Sequence, residues 1–193
     1  MKIDIILAGV GGQGILSIAT TIGYAAVNNG LYLKQAEVHG MSQRGGDVQS
    51  NLRISDEEIF SDLIPKGQAD LIISVEPMEA LRYLPLLSKT GWVITNDQPF
   101  NNISNYPAVD DIMGELSKLP QKIIINADQI AKDLGSPRSA NMVILGAASP
   151  FLTMEYQILE DAIAAQFASK GQEVVDVNIA ALKAGREYAM KNK

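Results

Sequence analysis

The chain has 193 residues, no cysteine and a formal net charge of −6 at pH 7. This length predicts one domain covering residues 1–193, and the lack of cysteine excludes disulfides, thiolate nucleophiles and cysteine-ligated iron–sulfur clusters within the chain. The acidic charge balance and the short apolar runs indicate neither a nucleic-acid-binding nor a membrane-spanning protein. The beginning of the chain lacks the form of a signal peptide, so we expect a cytoplasmic protein.

Apolar runs separated by turn residues predict alternating strands and helices. Short runs of branched apolar residues are typical of buried strands, whereas apolar residues three and four positions apart indicate helices. In chain order, the prediction is a strand at 3–8, a turn at 9–14, a helix at 15–28, strands at 31–38 and 47–54, a helix at 56–63, a strand at 70–75, a helix from Pro77 through Leu87, a strand at 92–96, a loop at 97–109, a helix at 111–119 and a strand at 122–125.

The connection between the predicted strands 31–38 and 47–54 has about eight residues, whereas a parallel crossover takes about a dozen or more. We therefore expect an antiparallel pair inside an otherwise parallel sheet. The rest of the chain has helical spacing at 127–134, 139–148, 155–169 and 178–191. Together these elements predict an α/β protein with a doubly wound, Rossmann-like mixed sheet, mostly parallel, and a helical C-terminal region.

The turn after the first strand, Gly9-Val10-Gly11-Gly12-Gln13-Gly14, has the spacing G-x-G-x-x-G. Glycine permits a tight turn and the close approach of a ligand, while the amino end of the next helix presents free N–H groups and about half a positive charge. We expect an anionic group to be bound there, by Gly9, Gly11, Gly12, Gln13 and Gly14. The alternative is a tight strand–helix turn that binds nothing.

A dinucleotide-binding fold also requires an acidic residue at the end of the second strand, and Glu37 lies near that position. The long polar loop that follows is unlike an ordinary ribose-binding turn. Two alternatives for the function are therefore a free-standing NAD(P)-binding protein and a non-catalytic module that binds a nucleotide or coenzyme A.

The loop from His39 to Gly46 contains the only histidine of the chain. The guanidinium of Arg44 in this loop is suited to bind a carboxylate or phosphate with two hydrogen bonds. The loop leaves the second strand at the edge of the sheet where the glycine turn lies, so we expect both loops to face one cleft. A solvated hairpin loop, with His39 in a structural hydrogen bond, is the alternative. The residues expected to face the cleft or a partner are His39, Gly40, Met41, Gln43, Arg44, Gly45 and Gly46.

Asn141 lies among apolar residues on all sides of a predicted helix. A polar side chain there needs a partner, so we expect Asn141 to be buried against another subunit or hydrogen-bonded to a loop, and we place it with the cleft residues.

The two loops together, Gly11–Gly14 and Glu37–Gly46, resemble the gamma unit of 2-oxoacid:ferredoxin oxidoreductases. The second loop, with Val-His-Gly-Met-x-Gln-Arg-Gly-Gly, is most similar to the small beta subunit of the indolepyruvate branch. Pyruvate and ketoisovalerate enzymes tend to carry a proline-containing version, Gly-Pro-x-x-Arg-Gly. Residues 140–147 and 178–185 are similar to two later segments of the family, so the resemblance covers nearly the whole chain.

The resemblance implies a subunit of an enzyme that decarboxylates a 2-oxoacid on thiamine diphosphate, passes electrons through iron–sulfur clusters to ferredoxin and forms an acyl-CoA. It implies that a large alpha subunit holds thiamine diphosphate, Mg and the clusters, and that this chain supplies no catalytic residue and is incomplete alone. It also implies an aryl pyruvate of the indolepyruvate type as the substrate. Coenzyme A, which carries phosphates, is the expected anion at the glycine turn, at the interface between subunits.

Overall fold

A six-stranded mixed sheet forms the centre of the protein in the computed structural model, which describes residues 1–40, 45–101 and 103–193. The strands are β1 (Lys2–Val10), β2 (Tyr32–His39), β3 (Asp47–Ser55), β4 (Ala69–Ser74), β5 (Leu87–Asn96) and β6 (Lys122–Ile125). The helices are α1 (Ile15–Asn28), α2 (Pro77–Arg82), α3 (Val109–Ser117), α4 (Ala127–Asp133), α5 (Ala140–Ala148), α6 (Tyr156–Phe167) and α7 (Gln172–Asn192).

The order of strands across the sheet is β2-β3-β1-β4-β5-β6. Strand β3 runs antiparallel to both of its neighbours, β1 and β2, whereas β1, β4, β5 and β6 are mutually parallel. The predicted antiparallel pair within a mostly parallel sheet is therefore confirmed.

Helices cover both faces of the sheet. One core packs side chains of α1 and α4–α7 against one face, and a smaller core packs α2 and α3 against the other. The predicted doubly wound α/β class and its helical C-terminal region are confirmed. No helix among residues 1–40, 45–101 and 103–193 is long and apolar enough to cross a bilayer.

Four predicted elements differ from the structure. The helix predicted at 56–63 does not form, because the guanidinium of Arg53 binds the carbonyl oxygens of Ser61 and Leu63 and holds this segment in an irregular path. The helix from Pro77 ends at Arg82, and a 3₁₀ turn that includes Pro85 leads into β5, which begins at Leu87 rather than 92. Proline cannot continue an α-helix without loss of a hydrogen bond and a clash.

The last helix begins earlier than predicted, at Gln172 instead of 178. Gly171, with φ +97°, precedes its first turn. The added turns place Val174 and Val177 beside the cavity described below.

Helices α5 and α7 approach each other closely at two glycines. A Cβ at Gly146 would lie 1.9 Å from the carbonyl oxygen of Leu182, and a Cβ at Gly185 would lie 1.9 Å from that of Val143. Only the absence of a side chain at both positions permits this crossing.

Gly146→Ala is therefore expected to lower the free energy of unfolding by at least about 2 kcal/mol, because the helices must separate to accept the methyl group. Gly114→Ala in α3 is the matched control, since no atom lies within 4 Å of its Cβ position. The control should instead add about 0.5–1 kcal/mol through helix propensity. Urea denaturation of the full chain measures both changes, and equal effects of the two substitutions would contradict the account of the crossing.

Candidate functional site

The glycine turn lies at the carboxyl end of β1 and leads directly into α1. Gly12 has φ +103° and Gly14 has φ +82°, which are conformations that a side chain disfavours. Gln13 closes the turn, because its Oε1 accepts from the amide of Val10 at 2.8 Å and its own amide donates to the carbonyl of Val10 at 3.1 Å. The side chain of Gln13 therefore shapes the turn.

The backbone amides of this turn and of the start of α1 are candidates for binding a ligand. No described residue accepts a hydrogen bond from the N–H groups of Gly12, Gly14, Ile15 and Leu16. The first N–H groups of a helix lack intrahelical partners and carry a partial positive charge. The arrangement can thus bind an anionic group.

The second loop meets the glycine turn through the backbone. The amide of Gly11 donates to the carbonyl of Gly46 at 2.9 Å, and Asp47 at the start of β3 lies opposite Val10 in the sheet. Gly40 closes the other side of this loop by donating to the carbonyl of Asp47 at 3.0 Å. Both loops are therefore at the same edge of the sheet, next to each other.

Residues 41–44 of the second loop fall outside the described residues, and they include Met41, Gln43 and Arg44. Their expected position in the cleft stays a prediction. Gly45, with φ +77°, lies at the turn into β3, where a positive φ is needed.

Nε2 of His39 contacts the carboxylate of Glu37, two residues earlier on β2, and more than half of the His39 side chain is exposed. Glu37 is therefore occupied by a neighbour on its own strand. Because β3 lies between β2 and β1, Glu37 is about 10 Å from β1 across the sheet, at about 4.8 Å per strand. This position does not fit a ribose-binding carboxylate next to the glycine turn.

Asn141 connects the glycine turn to the amino end of α5. Its Nδ2 donates to the carbonyl of Gly14 at 3.1 Å, and its Oδ1 accepts from the amide of Met142 at 3.0 Å. The expected hydrogen bond from Asn141 to a loop is present. A Cβ on Gly14 would lie 2.5 Å from Nδ2 of Asn141, so these two residues pack in direct contact.

A cleft of about 640 Å³ opens between this turn and the C-terminal helices. Two cationic side chains line it, Arg138 from the 3₁₀ turn before α5 and Lys170 from the turn before α7, and the carboxylate of Asp128 lies on its wall. The ammonium of Lys170 lies over the ring of Phe167, 5.1 Å from its centroid. The glycine turn lines this cleft through Gly12, Gln13 and Gly14. The described residues of the second loop, His39, Gly40, Gly45 and Gly46, do not line it.

Asn178 of α7 offers the cleft a hydrogen-bond acceptor. The residue is 94% buried, with 6% of its surface exposed, and its Nδ2 donates to the carbonyl of Val174 at 2.7 Å. No described residue donates to its Oδ1. Sequence reasoning missed Asn178 and Lys170 and gave Arg138 no definite role, because nothing local in the sequence places these residues beside the glycine turn.

Two buried carboxylates stabilise the adjacent carboxyl end of β4. Glu76 caps α2 by accepting from the amide of Glu79 at 2.8 Å, and it also accepts from the hydroxyl of Tyr106. Glu79 binds Arg82 through two hydrogen bonds of 2.7 and 3.1 Å. Tyr83 donates to Asp47 at 3.1 Å and so joins α2 to the end of the second loop.

The electrostatics of this cluster follow from burial. Burial raises the pKa of the Glu79 carboxyl, and the hydrogen bond from Arg82 opposes the rise. Burial also raises the pKa of the Tyr83 and Tyr106 hydroxyls, assisted by Asp47 and Glu76 respectively. Both tyrosines therefore act as neutral hydrogen-bond donors that support the edge of the sheet.

The family described as pyruvate ferredoxin/flavodoxin oxidoreductase matches residues 4–188. The chain belongs to this family. The indolepyruvate oxidoreductase subunit IorB of Archaeoglobus fulgidus is 39% identical over 202 aligned positions, which cover 100% of this chain and 98% of the relative. The predicted resemblance is thereby confirmed.

Two solved structures share the fold. The gamma subunit of a keto/oxoacid ferredoxin oxidoreductase from Geobacter sulfurreducens has a TM-score of 0.71 at 26% identity and covers 98% of this chain and 99% of its own. The 2-oxoglutarate:ferredoxin oxidoreductase of Magnetococcus marinus, with 2-oxoglutarate, coenzyme A and succinyl-CoA bound, has a TM-score of 0.78 at 23% identity. This chain matches only 31% of that longer chain. The free-standing NAD(P)-binding alternative is not favoured.

Because Gly14 and Asn141 are in contact, the effect of a substitution at Gly14 on stability should depend on the residue at position 141. Gly14→Ala is expected to cost about 3 kcal/mol of stability, from the left-handed backbone and from the clash with Nδ2. In an Asn141→Ala background the clash is gone, and the same substitution should cost only about 1 kcal/mol. A double-mutant cycle by urea denaturation measures the difference.

Gly12→Ala is the matched control for this cycle, because its φ is also positive but its Cβ position has no neighbour within 4 Å. Its cost should be the same with and without Asn141. A cost of Gly14→Ala that is also independent of Asn141 would contradict the proposed contact.

Proposed function

We propose that this chain is the small, catalytically incomplete subunit of an indolepyruvate-type 2-oxoacid:ferredoxin oxidoreductase. Similarity along the whole chain to subunit IorB, in a protein of nearly the same length, carries the proposal. The enzyme would convert an aryl pyruvate to an acyl-CoA and pass the electrons to ferredoxin. Residues 1–193 form its single gamma-type domain, and we place the complex in the cytoplasm.

The cofactors of the reaction belong to a large alpha subunit in this proposal. A cluster does not fit this chain, because the sequence has no cysteine to ligate iron. Among the described residues, no group of three or more His, Asp or Glu side chains is arranged to hold a metal ion. We therefore assign thiamine diphosphate, Mg and the iron–sulfur clusters to the large subunit.

The contribution of this chain is the cleft at the glycine turn, which we assign to the phosphates of coenzyme A at the subunit interface. Gly12 and Gly14, whose amides have no acceptor among the described residues, line this cleft together with Arg138 and Lys170. Phosphate oxygens suit such donors. When bound, coenzyme A accepts the acyl group, and the residues of this chain hold and orient its anionic part.

The second loop extends the same binding edge toward the large subunit. Gly46 accepts from the amide of Gly11 in the glycine turn, Gly40 donates to the carbonyl of Asp47, and Met41, Gln43 and Arg44 lie between Gly40 and Gly46 in the sequence. We propose that this loop contacts the large subunit or the substrate that it holds.

Gly12→Asp tests the assignment of coenzyme A. The new carboxylate would stand next to the free amides and repel the phosphates, so the dissociation constant of coenzyme A in the assembled enzyme should rise at least about tenfold. Gly12→Asn is the matched control, since asparagine has the same shape and backbone preference without the charge, and it should change the constant much less. Calorimetric titration measures both variants, and an unchanged affinity of Gly12→Asp would remove the assignment.

Affinity purification tests the subunit assignment itself. A tagged copy of this chain, purified from its native host, should retain a large, cysteine-rich chain that carries thiamine diphosphate. Thermal stabilisation of the isolated chain by NAD, without any large partner, would contradict the proposal. A ligand at 100 times its dissociation constant adds about 2.7 kcal/mol, which is readily measured.

A further inference from the structure

A buried amide on α7 gives the cleft a binding group that is separate from the glycine turn. Val174, Val177 and Asn178 are spaced as i, i+3 and i+4, so they share one face of the helix, and all three line the cleft. The two valines present methyl groups, whereas Asn178 presents an amide. This face of α7 therefore offers a ligand an apolar wall with a hydrogen-bonding group beside it.

The helix fixes the orientation of this amide. Nδ2 of Asn178 donates to the carbonyl of Val174, one turn earlier, at 2.7 Å, so Oδ1 is the atom that remains to accept a hydrogen bond. Only 6% of the surface of Asn178 is exposed, and no described residue donates to its Oδ1. Because a buried acceptor is costly to leave unpaired, this side of the cleft favours a ligand that carries an N–H or O–H donor.

The two sides of the cleft suit different chemical groups. The glycine turn, with Arg138 and Lys170, suits phosphate oxygens, whereas the wall of α7 suits an apolar group that carries a donor on its edge. Adenine has this combination, because its flat ring carries an exocyclic amine with two N–H donors. The cleft volume of about 640 Å³ lies within the range of about 300–1,000 Å³ that is usual for small-molecule sites, so it can hold a phosphate together with a base.

Asp128 is a second acceptor on the wall of the cleft, but it fits this role less well. Its Oδ2 accepts from Nδ2 of Asn96 at 2.7 Å, and the residue is less buried than Asn178. A carboxylate also repels the phosphates of a ligand in the same cleft, whereas the neutral amide of Asn178 does not. Asn178 is therefore the better acceptor for a base that lies next to phosphates.

We propose that Asn178 is a specificity-determining residue, which accepts a hydrogen bond from the exocyclic amine of the adenine base of coenzyme A. This inference rests on the proposed function, which assigns the phosphates of the same ligand to the same cleft. The reactive thiol lies at the opposite end of coenzyme A from adenine and must reach the thiamine diphosphate that we assign to the large subunit. The base is therefore the part that this chain holds, and the pantetheine arm extends toward the large subunit.

Desamino-coenzyme A tests this hydrogen bond, because hypoxanthine replaces adenine in it and a carbonyl oxygen replaces the exocyclic amine. That oxygen would face Oδ1 of Asn178, and two acceptors cannot form a hydrogen bond. The assembled wild-type enzyme should therefore bind coenzyme A at least about tenfold more tightly than desamino-coenzyme A. Calorimetric titration with each compound measures the two dissociation constants, and their ratio is the quantity to compare between proteins.

Asn178→Leu replaces the amide with an apolar side chain of similar size, so it should lower this ratio to less than about twofold. Asn178→Ala should give the same low ratio, so a packing defect specific to leucine does not decide the result. Asn192→Leu is the matched control. Nδ2 of Asn192 also donates to a carbonyl four residues earlier in α7, that of Tyr188 at 2.8 Å, but the residue is exposed and does not line the cleft. Its ratio should equal that of the wild type.

The possible results separate this inference from the proposed function. Equal affinity of the wild-type enzyme for the two compounds would overturn the role of Asn178 and leave the assignment of coenzyme A intact. A ratio that stays high in Asn178→Leu and Asn178→Ala would show that another residue binds the amine, and the proposal would be wrong. If the wild-type enzyme binds neither compound, the assignment of coenzyme A fails and this inference fails with it.

Discussion

Strand β3 determines the position of the two loops at the candidate site. It is inserted antiparallel between β1 and β2, so the chain that leaves β2 returns to the carboxyl end of β1 before it enters the sheet. The hydrogen bond from Gly11 to Gly46 results from this return and joins the two loops. The same strand ends beside the start of β1, where Ser55 pairs with Lys2. The insertion also separates Glu37 from the glycine turn, so a dinucleotide-type arrangement is lost although the glycine spacing is present.

The cleft depends on contacts that leave no room for side chains. Gly146 and Gly185 let α5 and α7 meet backbone to backbone, which brings the first turns of α7 over the glycine turn. A hydrogen bond from Asn141 to the carbonyl of Gly14 connects the amino end of α5 to the glycine turn. The amides of Gly12 and Gly14 and the side chains of Arg138 and Lys170 therefore lie on walls that these helix contacts hold together. Preorganised donors bind an anion without the cost of reorganisation.

Much of the fold follows from local patterns in the sequence. The strand at 122–125 and the start of α1 at Ile15 are where apolar runs and glycines predict them, and the length of the loop before β3 was enough to predict an antiparallel pair. Asn141 needed a partner because it stands in an apolar helix, and it has one. These predictions used interactions between residues that are close in sequence.

The remainder depends on contacts between distant segments. The irregular path of 56–63 is set by Arg53 and Asp4, which no helical pattern within the segment reveals. Glu76 and Glu79 resemble ordinary acidic residues at a helix start, yet both are buried because Tyr106 and Arg82 fold over them. The approach of Arg138 and Lys170 to the glycine turn requires the crossing of α5 and α7, so the basic side of the cleft could be found only in the structure.

Amide hydrogen exchange on the assembled enzyme, with and without coenzyme A, tests the central claim most directly. We expect the ligand to slow exchange in two separate peptides, one that contains Gly12–Leu16 and one that contains Arg138–Asn141. The reason is that residues of both peptides line the same cleft. Exchange in residues 56–63, at the opposite end of the sheet, should not change on addition of the ligand. Protection confined to other parts of the chain, or no protection at saturating coenzyme A, would contradict the claim that the glycine turn and the C-terminal helices form one anion-binding cleft.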